Sequence, residues 1–189
     1  MKTITLVWLR RKGACSGAIE AFQKRFGDKA SVEDVANILH EFEERDWEAW
    51  LLAQDLELTV LMLENDVDIH VGDDYALYLA ARNGRTSIVQ FLLEKGADVH
   101  ADYDVALRIA AEFGHLKVVQ LLVEHGANIH AYSDAALRVA AEYGRLKVVQ
   151  LLVENGANIH ADNDAAFHRA ARSGHPRVSQ FLRRQSQKV

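Results

Sequence analysis

Apolar residues recur at helical spacing through the second half of the chain, and the recurrence itself repeats. Residues 102–131 read "DYDVALRIAAEFGHLKVVQLLVEHGANIHA". Leu107, Ala110 and Ala111 form one stripe, and Val118, Val119, Leu121 and Leu122 form a second, as two amphipathic helices require. Asp104 stands where an N-cap is expected, and Gly114 and Gly126 supply the two stops. Residues 132–161 and 72–101 align with this unit without a gap. Residues 162–182 begin a further unit that stops after its second helix. An earlier unit shows only its second half, "LTVLMLENDVDIH", preceded by "DWEAWLLA". Neither helix of a unit is long enough to be stable alone in water, so the stripes must be buried by stacking. The pattern predicts an all-α solenoid of helix-turn-helix units, each stabilised by its neighbours.

The strings "ALRIAAEFGHLKVVQLLVEHGA" and "ALRVAAEYGRLKVVQLLVENGA" resemble the ankyrin repeat, and the resemblance holds in register over residues 46–182. Two features depart from that family's pattern. The T-P-L-H start is replaced by Val105-Ala106-Leu107-Arg108 and its equivalents, so Asp74, Asp104, Asp134 and Asp164 are expected to cap in place of threonine. The period is 30 rather than 33, and the residues lost lie where ankyrin proteins carry β-hairpin fingers, which implies short, blunt fingers. Arrays of this shortened type resemble those of viruses and of bacteria that exploit other cells.

Residues 1–45 do not repeat and read as a helical N-terminal cap. Ser31 and Asp34 form a capping-box-like start for a helix through Glu44, with Val32, Val35, Ala36, Leu39 and Phe42 on one face. Ala18, Ile19, Ala21, Phe22 and Phe26 suggest an earlier helix that ends at Gly27. Residues 4–12 are read as helix, although "TITLVWL" would also serve as a strand. Trp47 and Trp50 are expected to seal the junction with the first full repeat. The combination of "WLRRKGAC" with "RDWEAWLLA" has a distant likeness to openings of small bacteriophage and bacterial proteins.

Composition narrows the class. Of the 189 residues, 49% are hydrophobic and 26% charged, as in globular proteins. The apolar run Ile4–Leu9 is too short for a signal peptide and is followed by Arg10, Arg11 and Lys12. No segment reaches the length of a transmembrane span. Cys15 is the only cysteine, so no disulfide framework exists. A cytosol, of the producing cell or of an invaded one, is the expected compartment. Charge is segregated: residues 46–168 hold 8 Lys or Arg against 20 Asp or Glu, a net of −12, whereas residues 169–189 hold 6 basic and no acidic residues. An acidic body disfavours direct nucleic-acid binding and suits a partner with a basic surface. Arg169, Arg172, Arg177, Arg183, Arg184 and Lys188 read as a solvated cap and, over 183–189, a basic tail.

Four histidines, His70, His100, His130 and His160, recur every 30 residues and raise the question of metal binding. Stacked helices lie roughly 8–10 Å apart. Two ligands of one zinc cannot be much more than ~4 Å apart. Adjacent members of the column therefore cannot share an ion, and the expected role is a polar tie between neighbouring units. Cys15 lacks a recognisable His and Asn/Asp partner set, and no GxxxxGK[ST], GxGxxG or HExxH occurs. No cofactor or metal site is expected, and the chain reads as a non-enzyme.

The varying positions within the fixed frame are the candidate binding surface. Arg82-Asn83, Glu112-Phe113, Glu142-Tyr143 and Arg172-Ser173 precede the glycines that end the inner helices, where the ankyrin resemblance places the concave groove. Tyr78, Arg108, Arg138 and His168 share a register near its base, and Asp73, Tyr103, Tyr132, Ser133 and Asn163 occupy the turn tips. The site expected for a protein partner is Tyr78, Arg82, Asn83, Tyr103, Arg108, Glu112, Phe113, Tyr132, Arg138, Glu142, Tyr143 and Arg172. Phe113 and Tyr143 lead it, because an aromatic ring at a solvated helix end has no core to fill. The expected function is non-catalytic protein binding through the groove and acidic turn tips. The alternative is a phage- or virus-encoded inhibitor of a host nuclease or defence factor, acting by occlusion or by acidic mimicry of nucleic acid.

Overall fold

The computed structural model describes residues 3–12, 14, 16–31, 34–35, 51, 53, 59–60, 63 and 68–187. The chain divides into two compact units, Met1–Ala76 and Leu77–Val189.

In the first unit, strand β1 (Thr3–Thr5) leads directly into helix α1 (Leu6–Lys12), so the segment read as helix or strand is both. Helix α2 (Ser16–Phe26) follows, and strand β2 (Lys29–Ser31) returns antiparallel to β1 with Ile4 opposite Ala30. The β-branched Thr3-Ile4-Thr5 run favours the pleated conformation, and Ile4 and Ala30 are buried on the covered face. The N-terminal segment is thus not purely helical. Leu9, Phe22 and Val35 are buried, and Phe22 packs on Phe26 with ring centroids 5.1 Å apart. The capping box is present: the N–H of Asp34 donates to Ser31 Oγ at 3.0 Å, and that of Ser31 to the Asp34 carboxylate at 3.4 Å. The rest of that expected helix, together with Cys15, Trp47 and Trp50, lies outside the described residues.

The repeats form alternating helices. Inner helices are α3 (Val71–Arg82), α5 (Ala101–Phe113), α7 (Ala131–Glu142) and α9 (Ala161–Arg172). Outer helices are α4 (Thr86–Glu94), α6 (Leu116–Glu124), α8 (Leu146–Glu154) and α10 (Pro176–Ser186). Helix α7 lies against both α5 and α9, and the outer helices touch in sequence order from α4 to α10. The stripes are buried as expected except at Leu121, which is only half-buried. Leu107, Ala110 and Ala111 pack on the inner layer, and Val118, Val119 and Leu122 on the outer one, each at most 1% exposed. Alanine on the inner helices permits close approach of their backbones, while each buried Val or Leu contributes about 1.5–3 kcal/mol.

The turns before the inner helices differ from expectation. Three consecutive residues in each take left-handed backbone angles: Asp102, Tyr103 and Asp104 have φ of 44°, 53° and 61°, and Tyr132, Ser133 and Asp134 have 50°, 56° and 56°. Such angles cost a residue with a Cβ roughly 1–2 kcal/mol, least for Asn and Asp. Those types, with glycine, fill most of the twelve positions in the four turns. Among residues 68–187 no strand forms, so the connection carries no β-hairpin.

This geometry corrects the expectation that the aspartates are helix caps. The Asp104 and Asp134 carboxylates do not cap their own helices; each accepts a backbone N–H from the turn that closes its own unit, Asn128 at 2.7 Å and Asn158 at 2.8 Å. The histidines do join consecutive units: Nδ1 of His100 and of His130, each near the end of its unit, contacts the aspartate four residues on in the next unit, at 3.1 Å. The buried aspartate therefore links the histidine of the preceding unit to the turn that closes its own unit. The histidine ring supports it, and the histidine N–H is held by an Asx turn from Asp98 or Asn128.

Candidate protein-binding face

Glycine ends inner helix α5 at Gly114, where φ is 81° and the N–H bonds back to the Ala110 and Ala111 carbonyls. The side chain of Arg145 crosses this glycine so closely that a Cβ would come within 2.7 Å of its Cδ, and Arg145 Nε donates to the Glu112 carbonyl at 2.9 Å. One unit earlier, His115 lies over Gly84 and its Nε2 bonds the Arg82 carbonyl at 2.9 Å. The inner-helix ends at Gly84, Gly114 and Gly144, the last under His175, are thus clamped by the unit that follows. The sequence signal for the clamp is the recurring Gly-Arg or Gly-His pair at 84–85, 114–115, 144–145 and 174–175.

The clamped ends carry the expected aromatics. Phe113 is 42% and Tyr143 48% exposed. Arg82 places its guanidinium carbon 5.8 Å from the centre of the Phe113 ring, and the His115 ring stacks parallel to Phe113 with centroids 6.1 Å apart and planes 7° apart. A cation over the ring and a parallel imidazole hold Phe113 in place without burying it. At the turn tips, Tyr103 and Tyr132 meet edge to face with centroids 5.4 Å apart, exposed by 70% and 55%. In the second unit, these four are the exposed large hydrophobic residues among those described. Their left-handed or helix-terminal backbones leave no core within reach.

The charged candidates fall into two groups. Arg82, Asn83, Arg108 and Arg172 are exposed. Arg138 and Glu142 are instead engaged in ion pairs. Arg138 pairs with Asp162 and donates to the Tyr132 carbonyl at 2.6 Å, and Glu142 accepts from Arg169 at 2.7 Å. Arg169, read from sequence as part of a solvated cap, therefore belongs beside the candidate face. Tyr78 is half-buried. A cleft of about 350 Å³ opens among Arg108, Tyr132, Ala135, Arg138, Val139 and Arg169.

Chemically, the face offers aromatic surface, guanidinium groups and carboxylates. In four His-Asp pairs the imidazole Nδ1 meets the carboxylate, and no group of three or more potential metal ligands occurs among the described residues. No helix there is long and apolar enough to cross a membrane. Two family models match the chain, one described as ankyrin repeats in three copies over residues 49–133 and one as ankyrin repeats in many copies over residues 137–183. No curated protein sequence matches it.

Proposed function

The chain belongs to the ankyrin-repeat family, and on that premise we propose that it binds a protein partner across the inner-helix ends and turn tips of residues 78–172. Ankyrin repeats generally serve as protein–protein interaction modules and are typically non-catalytic. The observation that carries the finer reading is the exposure of Phe113 and Tyr143 at clamped helix ends. A rigid aromatic anchor loses little conformational freedom on binding, so its burial contributes most of its transfer energy to affinity. Acidic residues around this face, including the exposed Asp102 and Asp162, favour a partner with a basic rim. A cytosolic setting, in the producing cell or an invaded one, belongs to the same proposal.

Action as an antagonist of a host nuclease or defence factor is compatible with this face, by occlusion rather than mimicry of nucleic acid. Asp74, Asp104 and Asp134 are buried and so cannot present a phosphate-like row. Salt dependence separates the two modes, because acidic mimicry loses affinity steeply with added salt and aromatic anchoring does not. The test of the main reading is the partner affinity of a Phe113→Ala, Tyr143→Ala double variant. Unchanged affinity would remove the groove from the account.

A further inference from the structure

Arg169 breaks the repeat. The matching positions in the three preceding units are Leu79, Ile109 and Val139, all aliphatic. The register one residue earlier carries Tyr78, Arg108, Arg138 and His168. Where Arg108 and Arg138 follow one another, and Arg169 replaces an aliphatic residue, three guanidinium groups border one cleft. The cleft spans three successive units, and its volume of about 350 Å³ suits a single side chain with its flanking backbone, at the small end of ligand sites.

The three cations are not equivalent. Arg138 is committed to Asp162 and the Tyr132 carbonyl, with its Nε buried and without an acceptor. Arg169 is committed to Glu142. Arg108 is exposed and has no hydrogen bond or ion pair among the described residues. Three cations offset by two carboxylates leave one positive charge, centred on Arg108. A second anion carrying two charges would be repelled by Glu142 and Asp162, whereas a single carboxylate neutralises the cleft. Tyr132, edge to face with Tyr103, forms an aromatic rim across which a peptide backbone can lie.

We propose that this cleft receives a glutamate or aspartate side chain from an extended segment of the partner, with Arg108 as its counter-ion. This rests on the reading of the face as a protein-binding surface and names one chemical feature of what it binds. An acidic anchor inserted into a basic cleft, surrounded by a basic rim facing the acidic turn tips, also fixes the register of the bound segment.

The test uses the full chain as bait for a library of displayed random peptides. The enriched peptide is then synthesised with Glu, Gln or phosphoserine at its acidic position. Affinities are measured for the wild type, Arg108→Ala, and Phe113→Ala with Tyr143→Ala. The proposal expects enrichment of acidic peptides. It also expects about a ten- to hundredfold loss on either Arg108→Ala or Glu→Gln, typical of a charged hydrogen bond, and little further loss when both changes are combined. Peptides lost on the aromatic changes but indifferent to Arg108 would overturn this proposal and leave the groove reading standing. Dependence on Arg108 without dependence on Phe113 and Tyr143 would support the cleft and remove the aromatic groove. Enrichment of non-acidic peptides, or tighter binding of phosphoserine than of glutamate, would overturn the carboxylate assignment.

Discussion

Replacing Asp134 by alanine is expected to loosen the turns on either side of residues 132–161. The Asp134 side chain is 5% exposed and its Oδ1 accepts both the His130 ring and the Asn158 N–H. Losing a charged acceptor costs about 1.5–3 kcal/mol. Alanine at φ 56° adds up to ~1 kcal/mol, because aspartate tolerates the left-handed region better. The sum, about 3 kcal/mol, corresponds to a drop of roughly 6–12 °C in melting temperature for a chain of this size. Asp164 is the internal control. It has the same left-handed backbone, at φ 58°, and the same histidine contact, but its side chain is 51% exposed and its only bond among the described residues is to His160. Asp164→Ala should therefore cost only about 1 kcal/mol, the backbone contribution alone. Asp134→Asn keeps an acceptor and should fall between wild type and alanine. His130→Ala, at a ring 56% exposed, should cost less than about 1 kcal/mol. Urea unfolding gives the energies, and amide exchange at Asn158 reports the local bond. Equal costs at Asp134 and Asp164, or a larger cost at His130 than at Asp134, would refute the bridging role of the aspartate.

Further outcomes follow from the packing. Leu122→Ala removes a fully buried side chain and should cost about 2–5 kcal/mol in denaturant unfolding. Gly114→Ala places a Cβ 2.7 Å from Arg145 Cδ at φ 81°, so it should destabilise by more than the ~1 kcal/mol of backbone strain and should release the Arg145–Glu112 bond, visible as faster exchange at the helix end. Phe113→Ala and Tyr143→Ala, at exposed rings, should change stability by no more than about 0.5 kcal/mol each, which a melting curve checks before any binding measurement is interpreted.

Much of the fold was legible because each unit repeats its own evidence. The stripes at Leu107, Ala110, Ala111 and Val118, Val119, Leu122 depend only on local period, as do the glycine stops. Phe113, Tyr143, Tyr103 and Tyr132 stood out because a fixed frame makes an unexplained aromatic visible. What escaped were features settled by residues far along the chain. An aspartate before an amphipathic run looks like an N-cap; that Asp104 instead bonds Asn128 depends on a partner 24 residues away. The strand at Thr3–Thr5 exists because Lys29–Ser31 pairs with it. Arg169 looked like one charge in a basic terminus, and only its contact with Glu142, 27 residues earlier, brings it to the cleft. Arg145 and His115 were hidden for a similar reason, since a long donor after glycine gives no sign of reaching back across the preceding unit.

The most direct test of the account is the affinity of a purified protein partner for the wild-type chain and for the Phe113→Ala, Tyr143→Ala double variant, at matched fold stability. Two aromatic anchors at the centre of the binding face predict a loss of about 3–5 kcal/mol, more than a hundredfold in Kd. Equal affinity of the two proteins would contradict the claim that these inner-helix ends are where the chain binds.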